Sequence, residues 1–230
     1  MKKYVLVTLT SIVFIISIVA CNKGAQVVNT NTYNTSPTAL LPLKPGNVWY
    51  YQDSTFDSTT HAFESVLVDS ALVVNSTVTA LGNPYWVVEE NDSTGCFGNW
   101  GYYTNYPPTN GLFQIVGLSV SSTSYSQYLL WGQAASDSSQ LTQTYTGITS
   151  LSCAYIQNTY GFTHNYTING YNNCYRNLIQ FQNCQGTTNY VIYVSAGIGV
   201  VRYEVWQTPN AASNTFYLQY SQTLTGYKLK

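Results

Sequence analysis

From residue 39 onward, apolar and polar side chains alternate with a period of two in short runs cut by turn residues, and no helical stripe is present. After the punctuation of Pro42, Pro45 and Gly46, an aromatic strand begins at Asn47-Val48-Trp49-Tyr50-Tyr51. His61–Val74 is the next run, with Phe63, Ser65, Leu67 and Asp69 on one face and Glu64, Val66, Val68 and Ser70 on the other. Val78–Ala80 and Pro84–Glu90 flank Gly82-Asn83 as a hairpin, and Tyr102–Thr104 and Leu112–Val116 flank a loop, Asn105–Asn110, that holds Pro107-Pro108. Strands are expected next at Leu118–Tyr125 and Tyr128–Trp131, then weakly at Leu141–Tyr145 within a Ser/Thr-rich stretch. Phe162–Ile168 and Tyr171–Gln182 surround Asn169-Gly170, the strongest two-residue hairpin signal in the chain. Tyr190–Ser195 and Val200–Gln207 surround Ala196-Gly197-Ile198-Gly199, and Phe216–Leu229 closes the chain as a long strand. About 10–12 strands joined mostly by short turns predict an all-β fold. The expected form is a single curved antiparallel sheet, a half-barrel or barrel-like meander, because a sheet of that size must curl or close to hide its edges.

The first residues read differently. Lys2 and Lys3 precede an apolar run, Tyr4 to Ala20, that carries Thr8, Thr10, Ser11 and Ser17 and ends Ile18-Val19-Ala20-Cys21. That is the layout of a secretory signal, and it is short of the ~20 apolar residues a permanent span needs. Residues 22–38 are small and polar without any period, and 17 such residues reach roughly 20–25 Å. The expected organisation is a signal peptide over 1–20, a modified cysteine and flexible tether over 21–38, and one β domain over 39–230.

Only 7% of residues are charged, against ~25% in ordinary globular chains. Beyond residue 20 the chain holds six Lys/Arg and nine acids. No basic stripe is present, which excludes nucleic acid as a partner class. Aromatic residues make up 15%, mostly Tyr, which favours strands and excludes disorder for most of the length. The four cysteines after Cys21, namely Cys96, Cys153, Cys174 and Cys184, suit two disulfides in an exported chain. No Cys-x-x-Cys occurs and His61 and His164 stand apart, so neither a metal nor a cofactor is expected. If Tyr175–Gln182 is one extended strand, Cys174 and Cys184 lie about 33 Å apart, too far to bond. The hairpin at Asn169-Gly170 makes Cys153–Cys174 the easier pair, leaving Cys96 with Cys184.

Ile18-Val19-Ala20-Cys21 resembles the lipobox of bacterial lipoproteins, in which the cysteine takes a diacylglyceryl group and becomes the mature N-terminus. The resemblance implies a membrane anchor at Cys21. With Asn22 rather than Asp following, it implies the outer membrane, and without an acidic run it favours the periplasmic side. Pro42-Leu43-Lys44-Pro45-Gly46-Asn47-Val48-Trp49-Tyr50-Tyr51 resembles the opening motif of a group of uncharacterised envelope lipoproteins. Asn173-Cys174, with Tyr193-Val194-Ser195-Ala196-Gly197-Ile198-Gly199-Val200-Val201-Arg202-Tyr203-Glu204, resembles their C-terminal signature, with Ser195 where Pro is expected. This likeness implies a curved antiparallel sheet or half-barrel, distantly like the periplasmic lipoprotein carriers, and brings no catalytic residues.

Little in the chain points to catalysis. Gly197-x-Gly199-x-x-Arg202 is followed by a β-run rather than the helix a phosphate loop needs, so it reads as a turn. Glu64, Glu89, Glu90 and Glu204 could supply a glycosidase pair, but Glu89 and Glu90 face opposite sides of a strand and nothing brings two acids together. All five aspartates precede a serine, a natural turn pair that also resembles an O-glycosylation pattern of some envelope proteins. Arg202, Glu204 and Trp206 share one strand face with Val200. They are either a surface ion pair or, inside the curve, the polar spot of a ligand cavity. The expected function is therefore a non-enzymatic binding or interaction module for an apolar or glycan ligand. A structural lipoprotein acting through protein contacts is the alternative, and a glycan hydrolase is the weakest reading.

Overall fold

The computed structural model describes residues 39–91, 94–98, 100–109, 112–120, 125–133, 139–140, 145–148, 154–162 and 166–230, which belong to one compact unit, Thr32–Lys230. The signal segment, Cys21 and the tether to residue 38 lie outside the described residues, as do Asp92, Asp137 and Cys153.

Among the described residues the chain forms fourteen strands and no helix. They are β1 (Val48–Phe56), β2 (Phe63–Ala80), β3 (Asn83–Glu90), β4 (Trp100–Thr109), β5 (Leu112–Val120), β6 (Tyr125–Gly132), β7 (Ser139–Gln140) and β8 (Tyr145–Ile148). β9 (Ala154–Gly161), β10 (Tyr166–Ile168), β11 (Tyr171–Asn183), β12 (Gly186–Ser195), β13 (Gly199–Gln207) and β14 (Tyr217–Lys228) complete the set. The sheet runs β6-β5-β4-β3-β2-β1-β14-β13-β12-β11-β9-β7, with β10 beside β11 and β8 beside β9, and every neighbour is antiparallel. The expected all-β antiparallel meander is therefore the fold. The sheet curls until the end of β6 meets β11 through side chains. Gly132 N donates to Asn177 Oδ1 at 3.0 Å, and Gln133 Nε2 donates to the Tyr175 hydroxyl at 2.9 Å. Near-closure of this kind buries the edges that an open sheet would expose.

Period-two alternation decides which side chains enter the interior. From β1 come Trp49, Tyr51 and Asp53, and their cross-strand partners include Ala71, Asp69 and Gln222. The main core joins Trp49, Tyr51, Val73, Val88, Phe97, Tyr103, Ile115, Trp131, Ile192, Val194, Tyr203 and Tyr220. Val78, Ala80, Tyr85, Tyr102, Val116 and Leu118 form a second cluster on the opposite face of β2–β5.

Two patches distant in sequence meet at one end. Leu40, Leu41 and Leu43 are fully buried there, and Asn105 grips Leu41 through both its backbone groups. Asn47 Nδ2 donates to Pro42 O, while Asn47 Oδ1 accepts from Lys230 N at 2.9 Å. Trp49 Nε1 donates to Ile198 O at 2.5 Å and the Tyr51 hydroxyl donates to Val200 O at 3.1 Å. Gly199 (φ 110°) passes so close to Trp49 and Leu41 that a Cβ would press on both. The Pro42–Tyr51 and Ala196–Glu204 motifs are thus one three-dimensional cap.

Several boundaries differ from expectation. β2 is one 18-residue strand with an irregularity between Val73 and Thr77. The turn after it is Leu81-Gly82, both left-handed at φ 52° and 78°, with Ala80 opposite Asn83. β4 takes in the segment expected as a loop, and its register slips between Tyr106 and Thr109, where two prolines lack N–H donors. β5 runs through Gly117 and merges two expected strands, and β9 lies where the sequence pattern predicts none. Asn169-Gly170, at φ 52° and 85°, is the type I′ hairpin turn its sequence signals.

Candidate functional site

Register places Arg202, Glu204 and Trp206 of β13 on the outer face. Tyr203, between them, pairs with Ile192 and Gln222 on the core side, whereas Arg202 and Glu204 pair with Tyr193 and Val191 on the other. The expectation that this trio could sit inside the curve is corrected. So is its shared face with Val200, because a register shift at Val201 buries Val200 and Val201 together. The three side chains are nevertheless joined. Arg202 Nε donates to Glu204 Oε1 at 2.5 Å and Trp206 Nε1 donates to Glu204 Oε2 at 2.9 Å. Glu204 is 9% exposed, so the pair is not the plain surface bridge of the simpler expectation.

Glu204 and Trp206 line a surface cleft of about 330 Å³ over β11–β13. Leu178, Val191 and Phe216 supply its apolar floor and wall, and Arg176, Asn189 and Tyr193 its remaining polar groups. Arg176 is held from behind by the Phe162 ring, 4.4 Å from the guanidinium carbon, and Tyr166 packs edge-on against Tyr193 at 5.8 Å. Burial, with the Glu204 charge adding to it, raises the Tyr193 phenol above its ordinary value, so it serves as a neutral hydroxyl. The cleft thus combines aromatic edges with an oriented carboxylate, guanidinium, amide and phenol. Apolar and polar groups line the same concave surface.

A second group of polar side chains, not expected from the sequence, lies in the interior. Asp53, Asp69 and Glu90 are 2–4% exposed, on the core face of β1, β2 and β3. The turn-pair expectation is corrected for Asp53 and Asp69, which lie mid-strand; Asp57 does cap a turn, accepting from Thr59 N and Thr60 N. Glu90 Oε1 accepts from Gln222 Nε2 at 2.7 Å and Glu90 Oε2 from Phe97 N at 2.8 Å, while Gln222 Oε1 accepts from Cys96 N at 3.1 Å. Burial, with Asp69 and Asp53 adding, pushes Glu90 up to about 8 despite the two donors that oppose the rise. Asp69 Oδ1 accepts from Ser70 N at 2.6 Å, and Oδ2 finds no partner among the described residues. Among the described residues, no group of three or more His, Cys, Asp or Glu is placed to hold a metal ion. The signal for these acids was available: each shares period-two phase with a core aromatic or valine. Glu89 and Glu90 do face opposite sides, exposed and buried.

The expected disulfides are corrected. Cys96 and Cys174 are free thiols, so neither Cys153–Cys174 nor Cys96–Cys184 forms. Cys96 is drawn inward by the Gln222 bond, and Cys174 Sγ faces Tyr171 O at 3.3 Å. Cys184, exposed in the β11–β12 turn, is disulfide-bonded. β11 is continuous from Tyr171 to Asn183, which keeps Cys174 and Cys184 apart as expected.

No family model and no curated protein sequence matches the chain. Among solved structures it is similar to a "putative exported protein with YmcC-like fold" from Bacteroides fragilis. The identity is 12% and the TM-score 0.44, over 81% of this chain and 97% of that one.

Proposed function

We propose that the chain is a lipid-anchored envelope protein, held to the outer membrane through Cys21 and facing the periplasm, whose outer-face cleft binds a glycan without catalysis. The observation that carries the binding role is the cleft over β11–β13, where Trp206 and Phe216 stand beside Arg176, Asn189 and Glu204. A sugar ring presents an apolar face for an aromatic side chain and a rim of hydroxyls for planar polar groups, and this lining offers both. A purely apolar ligand would cover the Arg176 guanidinium without offering it an acceptor. Both Glu204 oxygens are already engaged by Arg202 and Trp206, which supports holding a ligand over transferring a proton. The anchor rests on the signal-like segment ending at Cys21 and on the polar stretch behind it.

Two measurements test the parts separately. Intact mass of the exported protein should show acylated Cys21 as the first residue; an unprocessed N-terminus would end the anchor. Titration with envelope-type oligosaccharides should perturb the NMR signals of Trp206 and Arg176 in the native protein, and Trp206→Ala should lose the Arg176 perturbation. Unchanged spectra across acidic, neutral and amino sugars would end the glycan reading.

A further inference from the structure

We propose that two copies of this chain associate through the outer edge of β2, joining their sheets across a two-fold axis at Leu67; this goes beyond the ligand reading and does not depend on it. β1 pairs with β2 from Phe63 to Leu72, but β3 pairs only from Ala71 to Ala80. The reason lies in the interior. After Glu90 the chain turns inward, tied by Glu90 and Phe97, instead of continuing along β2. Among the described residues, 63–70 therefore have a strand on one side only, and the other side presents a row of backbone donors and acceptors. The side chains there are apolar and open to solvent: Phe63 is 59% exposed, Val66 43%, Leu67 57% and Val68 85%. No Lys or Pro interrupts the run, the usual devices that keep such an edge single.

The occupant follows from the register. A two-fold axis normal to the sheet pairs residue i with s − i, where s must be even if each side chain is to keep its face. With Leu67 opposite Leu67, Val66 meets Val68, Ser65 meets Asp69 and Glu64 meets Ser70. Apolar groups face apolar groups and each acid faces a hydroxyl. The ladder also fits the edge end to end, since the next pair would reach Ala71, where β3 takes over. Moving the axis to Val66 sets Glu64 against Val68 and Asp69 against Phe63. Moving it to Val68 sets Asp69 against Leu67 and shortens the ladder. Opposed apolar pairs stabilise a sheet and acid–apolar pairs do not, so the edge is complementary to itself in one register. A single strand pair buries less than the ~1,200 Å² of a standard interface, so the association is weak and concentration-dependent.

Sedimentation of the full chain in detergent, over a series reaching ~0.5 mM, should show a monomer–dimer equilibrium. Leu67→Lys, which opposes two cations at the axis, should weaken it by about tenfold or more while leaving the melting temperature unchanged. Leu67→Cys should form an oxidised dimer, while Ser58→Cys in the β1–β2 turn should not. A monomer at every concentration, a dimer indifferent to Leu67→Lys, or equal cross-linking by Ser58→Cys would each overturn the proposal.

Discussion

Glu90 and Gln222, 132 positions apart in the chain, join their side chains at 2.7 Å in the interior of the curled sheet. The bond does more than link β3 to β14. The carboxylate also takes the Phe97 amide and the carboxamide takes the Cys96 amide, so the pair pins the 94–98 turn inside the sheet. Gly95 passes so near the Glu90 carboxylate that a Cβ there would collide with it. Phe97 is thereby presented to Trp49, Tyr103 and Trp131, with centroids at 6.0, 5.6 and 6.3 Å, and the Tyr103 hydroxyl donates to Phe97 O at 2.6 Å. The inturned loop thus places Phe97 in the main core, on the concave side of the sheet.

The first consequence is a pH dependence. Glu90 is pushed from an ordinary 4.5 up to about 8 by burial, so the folded state holds its proton more tightly than the unfolded chain does. Its stabilising contribution is complete below about 4.5 and is lost as pH rises to about 8. The slope reaches up to ~1.4 kcal/mol per pH unit in that window. Urea unfolding at pH 5 and pH 9 should show wild type weakening relative to Glu90→Gln as pH rises. Parallel curves for the two proteins would refute the assignment.

Removing the plug should be costly. Phe97→Ala deletes a buried ring packed on three aromatic side chains, and buried Phe truncations cost ~3–5 kcal/mol. Denaturant unfolding should report a loss in that range, whereas a loss below ~1 kcal/mol would show that the turn is not held inside.

The thiols give a chemical check. Burial raises both the Cys96 and the Cys174 thiol, so each should resist alkylation in the native protein and react fully in denaturant. Neither should occur in a cross-linked peptide of a non-reducing digest. A Cys96–Cys184 or Cys153–Cys174 peptide would contradict the structure.

How far the sequence reaches can be argued from these same residues. Period-two patterning and the Asn169-Gly170 turn suffice for an antiparallel meander, because strand faces and type I′ turns are local properties. The interior acids are not local. Asp53 follows Trp49 and Tyr51 in phase, yet a following serine reads equally as a turn, and only the pairing of Asp53 with Gln222 shows that it lies mid-strand. The face of Arg202, Glu204 and Trp206 was equally open, since β13 is largely buried on both sides and burial alone does not mark its core face. Phe97 sits in a segment with a loop's composition, and what draws it inward is the Glu90 side chain at the end of the preceding strand, itself fixed by Gln222 of the remote β14.

Substitution can separate the roles of Arg202 and Glu204 in setting the Trp206 ring. Glu204 receives Trp206 Nε1 and Arg202 Nε on different oxygens, so an amide in its place keeps the indole bond and loses the ion pair. Arg202 is about a third exposed, and its own removal should cost no more than ~1 kcal/mol in stability. The indole proton of Trp206, identified by its loss in Trp206→Phe, should therefore hold its NMR shift in Arg202→Ala and stay close to it in Glu204→Gln. In Glu204→Ala it should move toward the solvent position and exchange faster, because the half-buried donor has lost its acceptor. If all three variants leave that proton in place, the carboxylate does not orient the ring, and the aromatic wall of the cleft is set by packing against Phe216 and its neighbours alone.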